Sequence, residues 1–267
     1  MRAVPVPTEL LELALAVVRP AAALAATMRR DGVSGVSTKT TDTDVVTAAD
    51  RAVERQVIDA LRSYRPDDAV LGEESGGDGG GPVRWILDPI DGTVNYLYDL
   101  PVYAVSLAVE VDGVVVAGVV RNAATGREWT ALLGGGAYRD GHGLTGSSVT
   151  DLGHALLATG FGYDPARRGY QARVLAELMP RVRDVRRFGA AAIDLCMAAE
   201  GSVDVYYEKG LNLWDHAAGG LIAREAGLRV TGLSGAPPGP DLVLAAPPAL
   251  YDELHAHLVA LDAAGGP

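Results

Sequence analysis

The feature that most constrains this chain is the run from Trp85 to Thr93, with the sequence WILDPIDGT. It predicts an apolar strand that ends in two aspartates, followed by a turn and a helix that begins at Thr93. Pro89 holds the residue before it in an extended conformation, and Gly92 allows the chain to turn or a ligand to come close. Backbone N–H groups at a helix start suit an oxyanion, and paired carboxylates suit a hard cation. The run therefore suggests a metal-assisted phosphoryl site, although Asp-Pro-x-Asp-Gly is also typical of an ordinary turn.

The composition is that of a globular protein with an acidic surface. The chain has 267 residues, of which 48% are hydrophobic and 21% are charged, and its formal net charge is −11. This length suits one large domain or two closely joined halves. The acidity argues against a nucleic-acid groove or an anionic membrane as the main partner. It is also unusual for an enzyme that acts on anionic phosphates, unless cations bridge the protein and its substrate.

The N-terminal segment and the cysteine content predict a cytoplasmic protein. Cys196 is the one cysteine in the sequence, so no intrachain disulfide is possible. Glu9 and Glu12 interrupt the first apolar stretch, which makes it a poor secretory signal. No apolar run is expected to reach the roughly 18 residues that a membrane span needs.

The first half of the chain predicts two helices followed by an antiparallel meander. The helices cover 8–30, where Pro20 should kink or split the helix, and 44–64, where Thr47 and Asp50 resemble a capping box. A β-hairpin is predicted within 102–120 because Asp112-Gly113 divides two β-rich runs. The remaining strands are predicted at 69–72, 83–88, 128–133 and 136–139, and 34–43 and 76–82 are predicted loops.

The second half alternates between strands and helices, which predicts stacked α/β layers. The strands are predicted at 156–159, 182–186, 203–207 and 241–245. The helices are predicted at 166–179, 189–200, 214–226 and 248–261. Neither a repeat nor a low-complexity linker separates the halves, so residues 1–267 are predicted to form a single domain.

Acidic residues recur at predicted element ends, where sites are often built. These residues are Asp44, Asp50, Glu73, Glu74, Asp88, Asp91 and Asp215. Each has an ordinary interpretation as a first-turn helix acid, a solvated loop charge or a helix cap. If several met in one cleft, two like charges at ~4 Å would cost about 4 kcal/mol at an effective dielectric near 20, so protons or cations would be required. Mg²⁺ is the natural cation for oxygen ligands, and the five histidines are too scattered for a zinc site.

Three separated motifs point to one family: GEES at 72–75, WILDPIDGTVNY at 85–96 and WDHAAGG at 214–220. The segments DVVTAAD at 44–50 and FGAAAIDLC at 188–196 also fit. On these motifs the chain resembles the inositol monophosphatase family, within the wider group of magnesium-dependent, lithium-sensitive phosphatases. The resemblance covers nearly the whole chain in order. It implies an αβαβα sandwich of the sugar phosphatase type, with an antiparallel meander in the first half and a mixed sheet in the second.

The resemblance also implies a site built around two to three Mg²⁺ ions. The implied metal ligands are Glu73, Asp88, the Ile90 carbonyl, Asp91 and Asp215. The implied catalytic residues are Thr93, which is oriented by Asp50 to position the attacking water, and Glu73, near which a third, weaker magnesium is expected. The implied substrate contacts are Asp91, Gly92, Thr93, Gly189, Ala190, Ala191, Glu208 and Asp215, with Lys39 and Glu74 as possible additions.

The expected activity is hydrolysis of inositol 1-phosphate or a similar polyol phosphate by a homodimer that is sensitive to lithium. Ala190 replaces a threonine that is common in the family, and Asn212 replaces a histidine of some relatives, so the sugar alcohol stays open. The alternatives are histidinol phosphate, fructose 1,6-bisphosphate, NADP, a 3′-phosphoadenosine nucleotide, or a non-catalytic binding protein on the same scaffold. The arginines from Arg181 to Arg187 are interpreted as a solvated or dimer-edge feature rather than a substrate clamp.

Overall fold

Five layers in the order αβαβα make up the computed structural model, which describes residues 6–39, 41, 45–77 and 81–267. The predicted fold class is confirmed. Asp44 and part of the glycine-rich loop at 76–82 lie outside the described residues. The elements before the first large sheet are α1 (Pro7–Arg30), β1 (Ser37–Thr38), β2 (Val45–Val46) and α2 (Ala48–Tyr64). The antiparallel pair β1–β2 lies in and just after the segment that was predicted as a loop.

The outer layer α1–α2 packs on one face of the first large sheet. Helix α1 continues through Pro20 without a break, so the predicted split was wrong. Pro20 is exposed, whereas a stripe that includes Leu10, Val17 and Val18 is buried against the sheet, and this packing supports the helix. Helix α1 is long and apolar enough to cross a membrane, with a mean hydropathy of 1.6, which the sequence analysis did not expect. Core helices of other proteins reach the same values, so this finding does not indicate a membrane span.

The first large sheet has seven strands in chain order. They are β3 (Ala69–Gly72), β4 (Val83–Asp91), β5 (Ala104–Val111), β6 (Val114–Asn122), β7 (Glu128–Leu132), β8 (Gly136–Arg139) and β9 (His142–Gly143). Strands β3 and β4 are parallel, and each later pair is antiparallel, which confirms the meander. Asp112 and Gly113 have φ angles of 49° and 82°, as the tight hairpin between β5 and β6 requires.

The remaining elements form the central helices, the second sheet and the opposite outer layer. They are α3 (Thr93–Tyr98), β10 (Leu156–Thr159), α4 (Pro165–Leu178), β11 (Asp184–Arg186), α5 (Ala191–Glu200), β12 (Val205–Glu208), α6 (Leu213–Glu225), β13 (Arg229–Thr231), β14 (Val243–Ala246) and α7 (Pro248–Ala260). The mixed sheet has the order β11-β10-β12-β14-β13, in which β10 is parallel to β11 and β12, and β14 is antiparallel to β12 and β13. Strand β13, a short edge strand, was not predicted.

Close packing holds the central helices α5 and α6 between the two sheets. A Cβ atom at Gly118 of β6 would lie 3.1 Å from the Cα of Ala218, and one at Gly219 would lie 2.9 Å from the Cβ of Leu195. Glycine therefore permits α6 to approach both β6 and α5. This packing fixes the first turns of α5 and α6 relative to the end of β4.

Candidate active site

A cavity of about 580 Å³ lies where β4 ends and where α3, α5 and α6 begin. Strand β4 extends to Asp91, three residues beyond its prediction, and its pairing with β5 is irregular between Asp88 and Asp91. Gly92 then turns the chain with a φ of 90°, and α3 starts at Thr93. Most of the predicted site residues line this cavity, namely Lys39, Glu73, Asp88, Ile90, Asp91, Gly92, Thr93, Gly189, Ala191, Glu208 and Asp215.

Four carboxylates from three separate stretches of the chain line the cavity and lie close enough to repel one another. They are Glu73, Asp88, Asp91 and Asp215. Burial raises the pKa of Asp88 well above its ordinary value, and the charges of Glu73, Asp91 and Asp215 raise it further. Burial likewise raises the pKa of Asp215, again helped by the charges of Glu73 and Asp91. Burial raises the pKa of Asp91 to about 7. Mutual repulsion in a buried place means that these groups need protons or cations.

Backbone N–H groups hold three of these carboxylates in place. The Ile90 N–H donates to Asp88 Oδ1 (3.1 Å), and the Asn212 N–H donates to Asp215 Oδ2 (2.6 Å). The N–H groups of Ala191 and Ala192, at the start of α5, donate to the two oxygens of Asp91 at 3.1 and 2.8 Å. Each carboxylate oxygen keeps lone-pair capacity beyond one such bond.

The donor set fits a hard divalent cation such as Mg²⁺. It consists of buried carboxylate oxygens with raised pKa values around one cavity, and Mg²⁺ prefers oxygen ligands. Among the described residues, no three histidine, cysteine, aspartate or glutamate side chains are already gathered as a closed metal cluster. The fit therefore rests on the kind of donor, on burial and on mutual charge.

Asp50 acts on the cavity through Thr93 and does not line it itself. The capping box predicted at the start of α2 is present, with the Thr47 N–H and hydroxyl donating to Asp50 Oδ2 at 2.8 and 2.6 Å. The other oxygen, Asp50 Oδ1, lies 3.1 Å from the Thr93 hydroxyl, which is also 3.1 Å from the Ile90 carbonyl oxygen. The Asp50 carboxylate and the Ile90 carbonyl are thus the two acceptors that orient the Thr93 hydroxyl.

Sequence reasoning missed Glu54, which holds the turn that carries Glu73. Glu54 is 3% exposed and accepts hydrogen bonds from the N–H groups of Glu74 (3.0 Å) and Ser75 (2.7 Å). A Cβ at Gly72 would lie 2.5 Å from Glu54 Oε2, so glycine is needed there. The available signal was the spacing of Glu54 four residues after Asp50, which places both acids on one face of α2.

Lys39 bridges the two glutamates of this turn, so they are not solvated loop charges. Its ammonium donates to Glu73 Oε1 at 2.8 Å and also to Glu74 Oε1. The side chain of Glu74 is 12% exposed and does not line the cavity. A cation thus already lies against Glu73 in the structure.

Glu208 lies on the opposite wall, against Gly160 and Tyr206. The Tyr206 hydroxyl donates to Glu208 Oε2 at 2.8 Å, and a Cβ at Gly160 would lie 2.0 Å from the same oxygen. Burial raises the pKa of Glu208 to about 7. Ala190 is 1% exposed and does not line the cavity, so it offers no side-chain contact there.

Several cavity residues were not predicted as site residues. They include Phe161, Tyr163, Arg167, Arg187, Lys209 and Trp214. Arg187, in the arginine cluster interpreted as a solvated or dimer-edge feature, is exposed and also lines the cavity. Arg186 is exposed and bound to Asp184 (2.6 Å). The exposure of both agrees with the solvated interpretation, and the dimer edge stays a prediction.

Comparisons of the sequence and the structure with known proteins identify the family to which the chain belongs. The model of the inositol monophosphatase family matches residues 7–263. The chain belongs to the inositol monophosphatase family. The chain is 49% identical over 243 residues to an inositol-1-monophosphatase of Mycobacterium leprae, which covers 85% of this chain and 82% of the relative.

Two further relatives of the inositol monophosphatase family show the range of proteins on this fold. The solved structure of Mycobacterium tuberculosis SuhB has a TM-score of 0.83 and 42% identity, covering 97% of this chain and 99% of that one. The Nus factor SuhB of Escherichia coli is 40% identical over 195 residues, which covers 72% of this chain and 73% of that protein. Membership in this family indicates that the protein is a phosphatase that acts on small-molecule phosphate esters.

Proposed function

We propose that this protein is a Mg²⁺-dependent phosphomonoesterase that hydrolyses inositol 1-phosphate, or a similar polyol phosphate, to the polyol and phosphate. The observation that carries the proposal is the meeting of Glu73, Asp88, Asp91 and Asp215 in one cavity with the Thr93 hydroxyl. These groups come from the end of β3, β4, α3 and α6, and a cation-dependent site accounts for the gathering of their charges.

The proposed ligands of the cations are Glu73, Asp88, the Ile90 carbonyl, Asp91 and Asp215. Two to three Mg²⁺ ions would offset the acidity of the wall, so that an anionic substrate is attracted rather than repelled. When bound, the cations acidify water and stabilise charge on the phosphoryl and leaving oxygens. Three of these carboxylates, Asp88, Asp91 and Asp215, are already oriented by backbone N–H groups. They can therefore bind cations with little rearrangement.

Thr93 and Asp50 are proposed to orient the attacking water. The Thr93 oxygen can take a proton from the attacking water as its own hydroxyl proton passes to Asp50 Oδ1, which is 3.1 Å away. Glu73, on the turn held by Glu54, is the second group proposed to take part in this proton transfer. The N–H groups of Gly92 and Thr93 at the start of α3 are proposed to bind the phosphate oxygens.

The leaving polyol is proposed to contact the wall formed by Glu208 and the start of α5. Glu208 offers carboxylate oxygens to ring hydroxyls, and it is held in place by the Tyr206 hydroxyl. Gly189 and Ala191 line the same wall with little side-chain bulk. Since Ala190 lacks a hydroxyl, we expect one fewer polar contact than in relatives with threonine.

The remaining expectations rest partly on the sequence pattern and partly on family membership. We propose that the chain forms one domain over residues 1–267, acts as a cytoplasmic homodimer and is inhibited by lithium. The family model matches nearly the whole length, which supports the single domain.

The test is a panel assay of phosphate release by the purified protein in the presence of Mg²⁺ or EDTA. The panel contains inositol 1-phosphate, histidinol phosphate, fructose 1,6-bisphosphate, NADP and 3′-phosphoadenosine 5′-phosphate. We expect Mg²⁺-dependent release from inositol 1-phosphate, and loss of at least about 1,000-fold in kcat for Asp88→Asn with the fold retained. Persistent Mg²⁺-dependent hydrolysis by that variant would contradict the proposal, and no release by the wild type would favour a non-catalytic protein on this scaffold.

A further inference from the structure

Two loops on the cavity wall that contains Glu208 lie at the ends of neighbouring strands. Strands β10 and β12 are parallel partners, with Thr159 paired to Tyr207, so their carboxyl ends lie side by side. The loop at 161–164 comes after β10, the loop at 209–212 comes after β12, and all eight of these residues line the cavity. Ligands of open α/β sheets bind beside such strand ends, so the separation of the two loops sets the shape of this wall.

Gln171 of α4 joins the two loops through both ends of one amide group. Its Oε1 accepts from the Gly162 N–H (2.9 Å), and its Nε2 donates to the Lys209 carbonyl oxygen (3.1 Å). The side chain is 7% exposed, so water competes little for either hydrogen bond. An amide whose acceptor and donor are used by different loops holds the two backbones at one separation.

Arg167 fills the space between the same loops, one turn before Gln171 on the same face of α4. A Cβ at Gly162 would lie 2.7 Å from Arg167 Cδ, and a Cβ at Gly210 would lie 2.8 Å from Arg167 Nη1. Glycine on each loop therefore makes room for the arginine side chain. Arg167 limits how closely the loops approach each other, and Gln171 keeps them from moving apart.

The residues proposed to bind cations and to orient water lie on other elements. Asp88 and Asp91 belong to β4, and Thr93 begins α3, whereas Gln171 does not line the cavity. Glu208, the proposed acceptor for ring hydroxyls, ends β12 directly before the loop that Gln171 holds. A change at Gln171 should therefore alter the binding of the alcohol and leave the reaction at phosphorus unaffected.

We propose that Gln171 is a positioning residue that fits the cavity to the alcohol half of the substrate, by holding the loops at 161–164 and 209–212 at one separation. The inference rests on the proposed function, because it takes the wall with Glu208 as the place where the leaving alcohol binds. Without the amide the loops can separate, and a polyol ring then loses contacts that a smaller alcohol does not make. The loss should raise KM rather than lower kcat.

The experiment compares inositol 1-phosphate with glycerol 2-phosphate, whose alcohol is smaller than the inositol ring and reaches fewer of the loop residues. Gln171→Met keeps the length of the side chain and removes both hydrogen bonds, and Gln56→Met makes the same exchange on α2 as the control. We expect Gln171→Met to raise KM for inositol 1-phosphate by about 5- to 20-fold, with kcat within about 2-fold. KM for glycerol 2-phosphate should stay within about 2-fold, and Gln56→Met should change neither substrate.

Hydrogen exchange measured by mass spectrometry reports on the loops without any turnover. The Gly162 N–H donates to Gln171, so peptides that contain it should exchange at least about 10-fold faster in Gln171→Met than in the wild type. Gln171→Asn is a milder variant, because it keeps an amide but is one carbon too short to span both loops. It should raise KM for inositol 1-phosphate in the same way, and it carries the test if Gln171→Met does not fold.

Any of four results would overturn the inference. They are unchanged exchange at Gly162, an unchanged KM for inositol 1-phosphate, an equal rise in KM for both substrates, and a fall in kcat without a rise in KM. Thermal unfolding of each variant shows that it is folded at the assay temperature. The proposed function fails in a different way, since the wild type would then release no phosphate from either substrate under Mg²⁺.

Discussion

The Thr93 hydroxyl lies 3.1 Å from Asp50 Oδ1, although 43 positions separate the two residues in the sequence. The contact joins the first turn of α3 to the first turn of α2. Asp50 Oδ2 is meanwhile used by the N–H and hydroxyl of Thr47, so each carboxylate oxygen has a separate task. One side chain therefore both caps a helix and directs a hydroxyl into the cavity.

Removing the Thr93 hydroxyl should reduce turnover far more than it reduces stability. Thr93→Val keeps the shape but cannot orient water, and we expect kcat to fall by about 100-fold or more. Thr93→Ser keeps the hydroxyl and should retain most of the activity. Asp50→Asn should show the same kcat loss together with about 1 kcal/mol lower stability, because it also weakens the capping box. Steady-state kinetics and urea unfolding measure both, and a Thr93→Val enzyme with near-normal kcat would remove Thr93 from the mechanism.

Weakening the support of the Glu73 turn should lower metal affinity without touching a proposed ligand. Glu54→Gln replaces a carboxylate that accepts from the N–H groups of Glu74 and Ser75 with an amide that accepts less strongly. We expect the Mg²⁺ affinity of the weakest site, measured by isothermal titration calorimetry, to fall by about 10-fold. Asp59→Asn, an exposed acid on the same helix, is the control and should leave the affinity unchanged. Equal affinities for Glu54→Gln and the wild type would show that the turn needs no such support.

Local patterns predicted most of the secondary structure, and the resemblance to the family implied most of the residues that line the cavity. The capping box at Thr47, the Asp112-Gly113 hairpin and strand β10 follow from short-range chemistry, and the structure has them. The capping box and the hairpin are predictable because neighbouring residues alone decide them. The two sheets also agree with the meander and mixed sheet that the resemblance to the family implied.

What the sequence could not predict depends on contacts between distant segments. Strand β4 continues through Pro89 to Asp91 because pairing with β5 supports an extended backbone beyond the apolar run. Helix α1 continues through Pro20 because its buried stripe is held by the sheet. The spacing of Glu54 from Asp50 places both acids on one face of α2, but it does not tell that the turn carrying Glu73 packs against that face.

Glu208 should make the metal-free protein less stable as the pH rises. Its pKa is raised from 4.5 to about 7 by burial, so the folded state binds a proton more tightly than the unfolded state. The stabilisation from that proton is fully present below about pH 4.5 and is lost as the pH rises through about 7, with a total of about 3 kcal/mol. In EDTA, Glu208→Gln should therefore match the wild type near pH 4.5 and exceed its unfolding free energy at pH 8. Urea unfolding at both pH values tests this, and a Glu208→Gln protein that is no more stable at pH 8 would contradict it.

Removing the metal should expose the repulsion among the cavity carboxylates. Burial raises the pKa of Asp88 and of Asp215, the charges of Glu73 and Asp91 raise both further, and that of Asp215 also raises the pKa of Asp88. The wild type should therefore unfold at a lower temperature in EDTA than in saturating Mg²⁺. When the free Mg²⁺ concentration is 100 times the dissociation constant, a single bound cation stabilises the folded protein by about 2.7 kcal/mol.

Asp88→Asn removes one of the repelling charges, so its metal-free form should be at least as stable as the metal-free wild type. The same change removes a proposed ligand, and its gain on adding Mg²⁺ should shrink to less than about 1 kcal/mol. Differential scanning calorimetry with and without Mg²⁺ measures all four states, and an Asp88→Asn protein that gains as much from Mg²⁺ as the wild type would show that Asp88 holds no cation.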